Sequence, residues 1–144
     1  MHLEGIEPHL QGARVNESGG GWIRSPVAGG LIGVFAGGLT VFLLEGLGHG
    51  LLGTADPADA SSITVPMFAS VLVAWILGSA VAGAVATYWA RATGLSLGVI
   101  VGLTLLAGAV STMIAIPHPL WMSAAAVVLM PMAAVLAARA TATR

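Results

Sequence analysis

The chain has 144 residues, of which 57% are hydrophobic and 8% charged, with a mean hydropathy of +0.95 and a formal net charge of -1. A soluble domain carries about a quarter charged residues, so this balance excludes one. The absence of cysteine excludes disulfides, thiolate metal sites and thiol catalysis. All five basic residues are arginine and none clusters with another, which removes nucleic acid as a partner.

The first segment, 1–25, is a polar arm of mixed charge. It lacks the short basic start and immediate apolar run of a secretory signal, so no cleavage is expected. His2, Glu4, Glu7 and His9 within it alternate too loosely for a metal site. Four stretches follow that each approach the roughly 20 apolar residues needed to cross a bilayer. Their spans are 27–53, 65–89, 95–116 and 120–138, inside a bundle covering 26–140, with a tail at 141–144. The expected fold is therefore all-α, an integral membrane four-helix bundle.

Arginines sort to alternate connections. Arg14 and Arg24 precede the first span, Arg91 separates the second from the third, and Arg139 and Arg144 follow the fourth. The other two connections contain none, and an arginine excess marks the cytoplasmic side, so both termini are expected there. The segment with Asp56 and Asp59 is then external. Trp22, Tyr88, Trp89 and Trp121 fall at the expected interfaces, where amphipathic rings prefer to lie.

Within the first span, Gly29, Gly33 and Gly37 recur every four residues. The third repeats the spacing at Gly94, Gly98 and Gly102, and the second offers Gly78 and Ala82. Small residues at this spacing let backbones approach closely, which serves either packing within the chain or self-association. The same four-residue step leads from Gly37 through Val41 to Glu45 and His49. At 3.6 residues per turn that ridge winds round the helix, so the ionisable pair need not face the partner of the lower glycines. Pro131 interrupts the fourth span, and the methionines are scattered as core fillers are.

Glu45 and His49 are the chemically pointed residues, because ionisable side chains near hydrocarbon are costly and often mark a working site. The 18 uncharged residues Val27 to Leu44 cover about 27 Å, close to the hydrocarbon thickness, which sets Glu45 near the edge of the apolar slab. The topology brings His118, from the tight Pro117-His118-Pro119 connection, to the same level. A carboxylate and two imidazoles suit zinc or non-haem iron, with Asp56 and Asp59 as supporting oxygens. The same three groups also suit a proton-handling site and, above all, a hydrogen-bonded cluster that closes one end of the bundle. No nucleophile elbow, phosphate loop or intrahelical carboxylate pair occurs, so no catalytic residue is assigned and no cofactor is required.

With these residues in hand, the chain resembles a group of small four-helix bacterial inner-membrane proteins. The resemblance rests on Glu45-x-x-x-His49 at the end of the first span and Pro117-His118-Pro119-x-Trp121 before the fourth. The glycine-rich second span running from Gly78 to Arg91 adds to it. It covers about Val27 to Arg139 and implies a fold and a topology, with no activity. The expected function is a non-enzymatic accessory subunit in contact with the bilayer and with other membrane subunits or further copies of itself. A metal- or proton-binding protein using Glu45, His49 and His118 is the alternative.

Overall fold

A computed structural model describes residues 24–53, 59–91 and 95–142. Four long helices account for nearly all of it: α1 (Pro26–Leu52), α2 (Val65–Ala90), α3 (Ser96–Ala115) and α4 (Leu120–Ala142). Each is long and apolar enough to cross a membrane, and the protein is a multi-pass membrane bundle. A three-residue 3-10 turn, Ala60–Ser62, stands between α1 and α2.

Local chemistry sets the ends. The Ser25 hydroxyl accepts from the Ala28 amide at 3.2 Å, and Pro26 opens α1 where a missing N–H costs nothing. Gly53 ends α1 with φ 88°, a conformation that suits a residue without a β-carbon. Arg91 closes α2 in the left-handed region, φ 49°, as a non-glycine residue in a position that disfavours one. At the start of α4 the Pro119 carbonyl accepts from the amides of Met122 and Ser123. Helix α4 outlasts its apolar stretch and carries Arg139 in the last turn, where a cation complements the helix dipole.

Glycine contacts fix how the helices lie. A β-carbon placed on Gly29, Gly33 or Gly37 would fall 2.7, 2.6 and 2.6 Å from the carbonyl oxygens of Ala86, Ala82 and Gly78. Helices α1 and α2 therefore run antiparallel with their backbones in contact, an approach only glycine permits. Gly98 and Gly102 do the same for α3 against Ala138, Ala134 and Pro131 of α4, while Gly83 brings α2 against the Ala134 backbone. Gly94 lies outside the described residues. Helix α2 is the central element: 44% of its apolar span is buried, against 17%, 28% and 22% for α1, α3 and α4.

Two unlike halves result. Toward one end, Ala82, Ala86, Leu97 and Val101 pack with Val34 and Ala90. Toward the other, Trp75, Ala109, Met122, Ala126 and Met130 pack with Val41, Phe68, Leu72, Leu105 and Met113. The backbone-to-backbone glycine contacts of α1 and α2 stop at Gly37 and Gly78, and beyond them indole and thioether side chains fill the space between the helices. The alternating helix directions put Arg24, Arg91 and Arg139 at the first end, and Glu45, His49 and His118 at the second. Arg14, Arg144 and Trp22 lie outside the described residues.

Candidate functional site

At the histidine end, Glu45 is half-buried on α1 and His49, one turn further along, is exposed. The Glu45 carboxylate does not pair with His49. It accepts a hydrogen bond from the Trp75 indole N–H of α2, 2.7 Å from Nε1 to Oε1. By the register of the glycine contacts (Gly37 against Gly78, and a β-carbon on Gly48 3.0 Å from Ser70 Oγ), Glu45 stands opposite the 70–74 stretch of α2, and Trp75 lies just beyond it, deeper in the bundle. They meet because side chains lean toward the N-terminus of their own helix. In an antiparallel pair that tilt carries Glu45 down into the bundle and Trp75 up toward the end. The carboxylate is thus drawn further into the apolar layer than a residue count along α1 implies, and an N–H donor is there to satisfy it.

His118 completes the arrangement from the α3–α4 turn. Its Nδ1 lies 2.5 Å from the Ile116 carbonyl oxygen. A carbonyl only accepts, so this nitrogen donates and Nε2 is left with the lone pair. The ring centroid is 5.8 Å from that of Trp75 at an interplanar angle of 35°, and 5.5 Å from that of Phe68 at 60°. Both separations fall in the range of favourable ring pairs. Trp75, buried to 4% exposure, is therefore shared: its N–H holds Glu45 and its ring system holds His118.

Among the described residues no three histidine, aspartate or glutamate side chains are gathered so that they could hold a metal ion. Glu45, His49 and His118 share one end of the bundle, but Glu45 and His118 both engage Trp75, while His49 is exposed. Asp59 is exposed and committed locally: its Oδ1 accepts from the Ser61 amide at 2.9 Å and the Ser61 hydroxyl at 2.6 Å. Those two bonds hold its carboxyl below the usual carboxylate range. Asp56 lies outside the described residues.

Trp75 and Phe68 are the members that motif reading passes over. A signal for Trp75 exists. Trp89 and Trp121 sit close to helix ends, whereas Trp75 is ten residues into α2, about 15 Å from its start. An indole N–H at that depth needs an acceptor, and Glu45 is the one carboxylate within the four spans. Phe68 carries no comparable signal, being one apolar residue among many.

Comparison with protein-family models, with curated proteins and with solved structures returns no match. The chemistry of the site therefore rests on its own geometry: a carboxylate held by an indole, and an imidazole laid against two aromatic rings, its Nε2 without a hydrogen-bond partner among the described residues.

Proposed function

We propose that this protein is a non-enzymatic accessory subunit of a larger assembly in the bacterial inner membrane, with both termini cytoplasmic. The observation that carries the reading is an unused glycine face on α1. Gly29, Gly33 and Gly37 are consumed by α2, whereas a β-carbon on Gly38, Gly46 or Gly50 would meet no described atom within 4 Å. Glycine within a helix costs about 1 kcal/mol relative to alanine, and no described residue uses the closeness these three allow. A transmembrane helix of another subunit would use it, since small residues are what admit close helix pairs in lipid. His49 is exposed on the same terminal stretch of α1, between Gly46 and Gly50. A partner helix there would also shield an imidazole from lipid.

Arg24, Arg91 and Arg139 share one end of the bundle, which supports the cytoplasmic placement of the termini. Membership of the group of small four-helix membrane proteins belongs to the same reading and rests on Glu45-x-x-x-His49 and Pro117-His118-Pro119-x-Trp121.

The test is extraction in mild detergent followed by native mass spectrometry. Wild-type chain is expected to migrate with a distinct partner subunit, and Gly46→Leu or Gly50→Leu to release it while the bundle stays folded. A lone monomer from wild type would refute the proposal. A homo-oligomer broken by the same substitutions would replace the partner subunit with a second copy.

A further inference from the structure

We propose that His118 is a pH-sensing clasp: protonation of its Nε2 fastens the α3–α4 turn onto α2 and, through the shared Trp75 indole, onto Glu45 of α1. This is independent of any accessory role and would hold for an isolated chain.

The inference rests on three contacts made by three separate segments. His118 comes from the turn between α3 and α4, Phe68 and Trp75 from α2, and Glu45 from α1. A neutral imidazole interacts with the two rings only as one aromatic among others. An imidazolium is drawn to their π faces, and both centroids lie within the roughly 6 Å over which a cation is attracted to an aromatic ring. Its Nδ1–H already points at the carbonyl of Ile116, the residue capping the C-terminal end of α3, where the helix dipole favours positive charge. A positive charge beside the indole also polarises the Nε1–H bond, making it a stronger donor to the Glu45 carboxylate. The two rings, the Ile116 carbonyl and the end of α3 each attract positive charge, while the apolar bulk of the rings opposes it by desolvation. Acid closes the clasp, and loss of the proton loosens the turn and the α1–α2 contact together.

Few other charges compete. Helix α1 brings Glu45, which reaches Trp75, and His49, which is exposed a turn nearer the helix end. Helices α2 and α3 bring no titratable group to this end. Arg139, the charged residue described in α4, is at the opposite end. The α1–α2 connection brings Asp59, exposed and held by Ser61; Asp56 lies outside the described residues.

The experiment is a pH titration of the full-length chain in detergent micelles, from about pH 5 to about pH 8, the window in which histidine changes charge. Nuclear magnetic resonance follows the Trp75 indole N–H and the His118 ring. The expected result is that both signals move with one common midpoint. The indole movement should be lost in His118→Gln and retained in His49→Gln and Glu45→Gln. An indole signal that does not move, that moves identically in His118→Gln, or that stops moving only in Glu45→Gln would overturn the proposal. Should His118→Gln fail to fold, the native chain alone decides the matter: two different midpoints for the indole and the imidazole would refute the coupling.

Discussion

The Trp75 indole of α2 donates to the Glu45 carboxylate of α1 at 2.7 Å, across a gap that the glycine contacts of the other half leave open. Where Gly33 meets Ala82 the two backbones touch, and no side chain of any size fits between them. A turn beyond Gly37 and Gly78 the space admits an indole, and the one carboxylate of the spans is placed to satisfy its N–H. Close packing and polar satisfaction thus follow one another along a single helix pair.

This bond carries the first prediction. Trp75→Phe keeps most of the ring volume but strands a half-buried carboxylate, and hydrogen bonds to charged groups are worth about 2 kcal/mol. The variant is expected to be destabilised by that order in reversible unfolding from mixed micelles. Glu45→Leu in the same background should recover much of the loss, because the unpaired charge is gone. If Trp75→Phe unfolds with wild type, the bond contributes nothing.

A contrast between two glycines of α1 gives the second. A β-carbon on Gly33 would lie 2.6 Å from both the Ala82 oxygen and the Ala86 β-carbon, so Gly33→Ala must push the helices apart. Overpacking of this kind costs about 1–3 kcal/mol. Gly46→Ala meets no described atom within 4 Å and should leave the isolated chain unchanged or slightly more stable. Equal effects at the two positions would contradict the assigned α1–α2 face.

The third concerns two hydroxyls. Ser79 and Thr87 of α2 are buried to 0% and 1% exposure, and neither side-chain oxygen has a hydrogen-bond partner among the described residues. They flank Gly83 at the contact with α4. Leaving a buried hydroxyl unpaired costs about 1–3 kcal/mol, so Ser79→Ala and Thr87→Val are each expected to stabilise the bundle, by roughly 1 kcal/mol. Thermal unfolding in one detergent reads this directly, and a drop in midpoint for both variants would contradict it.

The fourth follows from Asp59. Its carboxyl is held below the usual range by bonds from the Ser61 hydroxyl and amide. A group depressed in the folded state contributes above its unfolded value and loses that contribution as pH falls through the folded one. The Ala60–Ser62 turn should therefore be ordered at neutral pH and open below the ordinary aspartate range. Amide exchange at Ser61, faster in acid than the intrinsic pH dependence allows, is the expected sign; Asp59→Ala should show the open behaviour at every pH.

How much of this was legible beforehand differs between fold and site. The four spans and their alternating directions follow from where apolar runs, arginines and prolines fall along the chain. Those are local quantities, set by bilayer thickness and by the cost of carrying charge into it. The positions of Gly29, Gly33 and Gly37 likewise announce a close helix contact, though not that Ala82 and Ala86 receive it.

What Glu45 and His118 touch was decided by the tertiary structure alone. Residue spacing places them with His49 at one end of the bundle, and end is all that spacing can specify. Which way each helix is turned about its axis is set by the glycine contacts of the opposite half, and how far each side chain reaches is set by its lean toward its own N-terminus. Those two rotations bring Glu45 to Trp75 and leave His49 exposed, and the α3–α4 turn adds His118. What sequence spacing offers as a carboxylate with two imidazoles becomes, in three dimensions, a carboxylate and an imidazole joined through an indole.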